Sequence, residues 1–94
     1  MEKSSERYSG SETAYVMITC ETGCESSVAE ELKGIIAIRE IECTVGNYDI
    51  VAKIKVGSVE SLRDIIAFKI RRVGGVLSTT TLMCTDSAMP AMAQ

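Results

Sequence analysis

The sequence predicts an α+β domain with the element order β-α-β-β-α-β, and three observations carry that prediction. Two stretches with the apolar spacing of helices, Val28 to Ile36 and Val59 to Val73, each follow a run of strand character. Two alternating segments flank a Gly46-Asn47 turn signal. The chain is 94 residues long, 46% hydrophobic and 24% charged, a globular composition sized for one domain.

The elements follow in order. Residues 1–13 are polar and aperiodic, which predicts a flexible arm. Ala14 to Cys20 is a continuous apolar and β-branched run, short enough for a central strand, and Thr22-Gly23 breaks it. Val28, Leu32, Ile35 and Ile36 then recur at i, i+4, i+7 and i+8, one face of a helix. Glu25, Glu30 and Glu31 lie early or midway and Lys33 late, in keeping with the helix dipole, and Gly34 weakens the end.

Ile38 to Val45 places Arg39, Ile41, Cys43 and Val45 against Ile38, Glu40, Glu42 and Thr44. Asp49 to Val56 places Ile50, Ala52, Ile54 and Val56 against Asp49, Val51, Lys53 and Lys55. Gly46 and Asn47 tolerate the positive φ of a tight hairpin. A two-residue turn sets Cys43 opposite Ile50, Ile41 opposite Ala52 and Glu40 opposite Lys53. A turn two residues longer pairs Glu42 with Lys53 and Glu40 with Lys55. Both registers join opposite charges, each pair contributing about 0.2–1 kcal/mol.

Ser58 is suited to cap the second helix, with Glu60 in its first turn. Val59, Leu62, Ile65, Ile66, Ile70 and Val73 form its buried stripe, with Phe68 on the flank. Lys69, Arg71 and Arg72 suit its C-terminal end, and Gly74-Gly75 stops it. Val76 to Cys84 is the last strand, so the domain spans 14–85, with a tail at 86–94.

Two helices on one face of a four-stranded antiparallel sheet make the split βαβ, or ferredoxin-like, arrangement. The other face takes Glu40, Glu42, Thr44, Val51, Lys53 and Lys55 from the hairpin. From the first strand it takes either Tyr15, Met17 and Thr19 or their even-numbered neighbours. Such a mixed, uncovered face predicts a homo-oligomer that associates through its sheet.

Composition narrows the function. A net charge of −3 argues against a phosphate-binding surface, and three tyrosines with one phenylalanine make a base-stacking platform a poor fit. There is no histidine, so the commonest metal ligand and neutral-pH base is missing. No apolar run is long enough to span a membrane, and the polar N-terminus is no signal peptide, so a cytoplasmic location is expected. In a reducing compartment Cys43 and Cys84 read as small buried hydrophobes.

Cys20-x-x-x-Cys24 suggests a metal or thiol module, but metal carriers of this fold space their cysteines by two residues, and two thiolates leave a zinc site incomplete. Acid–base work in an enzyme would fall to Asp49, Glu40, Glu42 or Tyr48, and Glu40 and Glu42 already face lysines. A purely structural oligomer fits the same residues. The expectation is a binding module, not an enzyme, with no cofactor.

Ala14 to Ile18, Val28 with Leu32, Gly46 to Lys53, and Gly75 to Leu82 together resemble the effector-binding (RAM) domain of the Lrp/AsnC transcriptional regulators. The most specific parts are Gly46-x-Tyr48-Asp49, Lys53 four residues later, and Gly75-Val76 before the threonine-rich strand. The resemblance covers about Ala14 to Thr85. It implies a domain that dimerises through its sheets, often builds an octamer-like ring of dimers, and binds a free amino acid between dimers. On the matching residues it makes Asp49 the effector-response aspartate, with Gly46 and Tyr48 in the same turn. It sets Thr79, Thr81, Leu82 and Met83 beside the effector.

The chemistry is compatible. Asp49 can accept from an ammonium, Thr79 and Thr81 present hydroxyls, and Leu82 and Met83 are suited to an apolar wall. Backbone N–H groups around Gly46-Asn47 add donors. Against this, Asp49 can serve simply to cap the turn, and the threonines to favour a strand. Full-length members of that family carry a helix-turn-helix ahead of this domain, and here thirteen polar residues precede the first strand. The expectation is therefore a stand-alone effector domain with no direct nucleic-acid contact. It would regulate transcription or metabolism through a protein partner, such as a full-length regulator of that family.

Overall fold

The computed structural model describes residues 12–85. The first strand, β1 (Glu12–Cys20), starts two residues before Ala14 and buries Ala14, Val16, Ile18 and Cys20 on one face. That alternation turns Tyr15, Met17 and Thr19 to the opposite face, deciding between the two alternatives. Helix α1 (Glu25–Leu32) follows, then β2 (Ile38–Cys43), β3 (Ile50–Val56) and α2 (Val59–Ile65). A π turn over Ile66–Ile70 continues α2, and β4 (Val76–Met83) closes the sheet. Every pairing is antiparallel and the order is β2-β3-β1-β4, as the βαββαβ arrangement requires.

Both helices lean on the face that carries Val16, Ile18, Ile50 and Ile54. Val28 and Leu32 of α1, with Leu62, Ile66 and Ile70 of α2 and its π turn, complete that core. Fully burying a side chain of this kind contributes roughly 1.5–3 kcal/mol, which is why these spacings select the helical faces. Ser58 caps α2 as its sequence suggests, its Oγ accepting from the Ser61 N–H at 3.1 Å. In the π turn the Arg71 N–H reaches back five residues to the Ile66 carbonyl at 2.9 Å.

The hairpin takes the first of the two registers, with Cys43 opposite Ile50, Ile41 opposite Ala52 and Glu40 opposite Lys53. The strands stop at Cys43 and Ile50, however, so Val45 sits in a loop and is fully exposed rather than on the core face. The register shifts between Ile38 and Glu40, which returns Ile38 to the core side, opposite to simple alternation. Glu40 and Lys53 share this register, yet among the described residues the close ion pair is Lys33 with Glu30 at 3.1 Å.

Other expectations fail where an element ends early. Helix α1 stops at Leu32, so Ile35 is half-buried and Ile36 is 90% exposed. Val59, in the first turn of α2, is also largely exposed. Cys43 and Cys84 are exposed, because each lies at or beyond a strand end that no helix covers. Phe68 lies outside the stripe, as expected, and is exposed. Glu12 and Thr13 belong to β1, while the rest of the expected arm and the tail at 86–94 lie outside the described residues. None of the helices among the described residues is long and apolar enough to cross a membrane.

Candidate functional site

Asp49 sits where the β2–β3 loop rejoins the sheet, tied on every side. Its N–H donates to the Ile18 carbonyl at 2.9 Å and its own carbonyl accepts from the Thr44 N–H at 2.9 Å. Its Oδ2 accepts from the Cys20 N–H at 2.7 Å. One carboxylate oxygen thus fastens the exit of β1, where the pairing with β4 shifts between Thr19 and Cys20. A carboxylate has about four acceptor positions, so this bond leaves Asp49 capacity to accept from a ligand. Tyr48 is half-buried beside it, its carbonyl accepting from the Thr44 hydroxyl at 2.8 Å. Gly46 holds φ at +134°, a backbone setting that favours glycine, in an exposed part of the loop.

The last strand divides its predicted residues between two faces. Thr79 and Thr81 lie opposite Ile18 and Val16, on the side of the helices, and Met83 lies opposite Ala14 on that side too. Leu82 lies opposite Tyr15, on the open side. Leu82 and Met83 therefore do not form one apolar wall within a chain, because consecutive strand residues point to opposite faces. Met83 is also remote from Asp49: Ala14 is four residues from Ile18, roughly 14 Å along a strand.

Arg71, just after the π turn, is a functional candidate that sequence reasoning missed. Its Nε donates to Thr79 Oγ1 at 3.2 Å. Arg63, Ile66, Ala67, Arg71 and Thr81 line a groove of about 350 Å³ between α2 and β4. Two guanidinium groups beside threonine hydroxyls suit a carboxylate. The available signal is the cation-rich end of the second helix, which the helix dipole alone explains. What hides the rest is the pairing that brings β4 under it.

The thiols offer less. Burial pushes the Cys20 thiol up from its ordinary value, and the nearby carboxylates of Asp49 and Glu25 push the same way. That is the reverse of what a thiolate ligand needs. No cluster of three or more His, Cys, Asp or Glu side chains able to hold a metal occurs among the described residues.

The α+β sheet thus carries carboxylate, guanidinium and hydroxyl groups at one end, chemistry of the kind a small-molecule-binding domain uses. Residues 13–93 match the family model of the Lrp/AsnC ligand binding domain, and the chain belongs to that family. It is a ligand-binding regulatory domain, and the family is not an enzymatic one. TTHA0845 from Thermus thermophilus is 29% identical with a TM-score of 0.79, over 85% of this chain and 99% of that one. E. coli AsnC superposes with a TM-score of 0.80 at 21% identity, over all of this chain and 62% of its own. The transcriptional regulator NMB0573 from Neisseria meningitidis, solved with L-Met, gives 0.79 at 9% identity, over 95% of this chain and 59% of its own. At those last two identities the likeness is one of fold. No curated protein sequence matches the chain significantly.

Proposed function

We propose that the chain binds a free amino acid between copies of itself and passes that event to a protein partner. One observation carries the reading. Asp49 lies on the β3 side of β1, and Thr79 with Arg71 on the β4 side, both level with Ile18. Two strand spacings, roughly 9.5 Å, separate β3 from β4. The Asp49 carboxylate and the Thr79–Arg71 pair thus stand on opposite flanks of β1, and an α-amino acid, whose ammonium and carboxylate share one carbon, is best met by these groups from two different copies. Asp49 of one copy, with Gly46 and Tyr48, is set to take the ammonium. Thr79, Thr81 and Arg71 of another copy take the carboxylate, and Leu82 or Met83 the side chain.

The open sheet face supports self-association. Tyr15 and Leu82 are cross-strand neighbours there, 36% and 56% exposed, a pair of large apolar groups in search of cover. Sheet-to-sheet dimers, assembled further into a ring, would bring Asp49 and β4 of different copies together. A full-length Lrp/AsnC regulator is a partner of fitting kind, since its ligand-binding domain belongs to the same family. The acidic net charge of −3 favours a protein partner over nucleic acid, and the setting is cytoplasmic.

Calorimetric titration of the assembled protein with each proteinogenic amino acid tests the ligand, and its molar mass with and without that ligand tests the interface. Silence across the whole set at millimolar concentration removes the effector, and a monomer at all concentrations removes the site. Asp49→Asn is the informative variant, because it keeps an acceptor for the Cys20 N–H while discarding the charge.

A further inference from the structure

A second cavity, of about 470 Å³, opens at the other end of the sheet, between the α1–β2 connection, the end of β3, and α2 with its π turn. Its walls include Ile35, Ile36 and Ile65, and its rim carries Arg39, Lys55 and Lys69. Among the described residues no acidic side chain lines it, although the chain as a whole has a net charge of −3. Three cations around one opening, with no carboxylate among the described lining residues, give the cavity mouth a local positive potential that favours an anion.

The apolar wall is fixed in place. The Gly34 N–H donates to the Glu31 carbonyl at 3.1 Å, the Ile38 N–H to Ile35 at 3.0 Å, and the Lys55 N–H to Ala37 at 3.0 Å. These bonds brace the connection that holds Ile36 out of the core, so its exposure is imposed by the backbone around it. Ile65 and Lys69 reach the same cavity from α2 and the π turn, and π turns recur at functional sites.

We propose that this cavity binds a small organic anion with an apolar body, such as a medium-chain or branched carboxylate. The isoleucines take the hydrocarbon, and Arg39, Lys55 and Lys69 hold the carboxylate through charge-assisted hydrogen bonds. The volume lies within the range usual for small-molecule sites, roughly 300–1,000 Å³. The site is separate from the one around Asp49. Ile50 and Val56 mark the two ends of β3, about 20 Å apart at the rise of an extended strand.

Hexanoate and hexylamine, equal in chain length and opposite in charge, are the probes. In titrations of the 94-residue chain followed by backbone amide NMR, hexanoate is expected to bind and to shift the resonances of Ile36 and Lys69, while hexylamine leaves them unmoved. Lys69→Glu and Lys55→Glu, both at exposed positions, are each expected to weaken hexanoate by about tenfold or more. Circular dichroism would verify that both variants fold. Asp49→Asn is expected to leave hexanoate binding unchanged. Equal binding of the two probes reduces the cavity to an unspecific apolar patch and overturns the proposal. So does no binding at millimolar hexanoate, or binding that survives both charge reversals.

Discussion

Adding a single methyl group at Gly75 tests how the site is held. Gly75 has φ at +100°, and a Cβ there would stand 2.9 Å from Cys24 Cβ and 3.0 Å from Val28 Cγ2. Its carbonyl also accepts from the Glu21 N–H at 2.8 Å, which ties the β1 exit to the start of β4. Gly75→Ala therefore meets two penalties. The left-handed backbone costs roughly 1–2 kcal/mol for a residue with a side chain. Crowding against α1 adds about 1–3 kcal/mol, since Val28 is fully buried and has no room to retreat.

Gly23→Ala separates the two penalties, because Gly23 has a similar φ of +90° with nothing within 4 Å of the new Cβ. In urea, small domains lose about 1–3 kcal/mol of stability per molar denaturant. The midpoint of Gly75→Ala is thus expected roughly 1–2 M below that of Gly23→Ala, at one fixed protein concentration because an oligomer's stability depends on it. Adding Cys24→Gly should restore part of the difference. Coincident unfolding curves for the two alanine variants would show that the approach of β4 to α1 is looser than described, and would refute the reasoning.

Three further outcomes are expected. Asp49→Ala leaves the Cys20 N–H unpaired and should lower stability by about 1–3 kcal/mol in urea titration, whereas Asp49→Asn should lose much less. The raised Cys20 thiol stays protonated at a pH where the unfolded chain has begun to ionise. Its contribution to stability is therefore full below about pH 9, the ordinary value of 9.0, and falls as pH rises towards its folded value. Cys20→Ala should flatten that fall, and iodoacetamide mapped by mass spectrometry should label the exposed Cys43 and Cys84 before Cys20. Ser58→Ala removes the cap of α2 and should cost about 1 kcal/mol by thermal or urea unfolding.

Element order and the pairing of the hairpin strands were legible, because each rests on periodicity and on turn residues that act locally, whereas the hairpin register was narrowed to two alternatives that only the folded pairing separates. Val28, Leu32, Leu62 and Ile70 could be assigned to the core from spacing alone. Ile36, Val45 and Cys43 could not, because their exposure depends on where a neighbouring helix or strand stops. Ile38 changed sides through a one-residue shift in pairing, which leaves no mark in an alternating pattern. Within the site, Asp49 was visible as a turn residue, but its bond to the Cys20 N–H spans 29 positions and is written only in three dimensions. Arg71 was hidden for the same reason.

The two edges of the sheet differ in a way that bears on how far assembly can run. The β2 edge carries Arg39, Glu40 and Glu42, charges that resist the approach of another strand. The β4 edge runs eight residues from Val76 to Met83 without a charge or a proline. One edge is guarded and the other bare, so strand addition can happen once per molecule and then has nowhere to continue. Two copies meeting at their bare edges would present only guarded ones outward, and growth by that route would stop there. Were a strand ever added at the threonine-rich edge, the charges on β2 would keep that encounter from becoming a fibre.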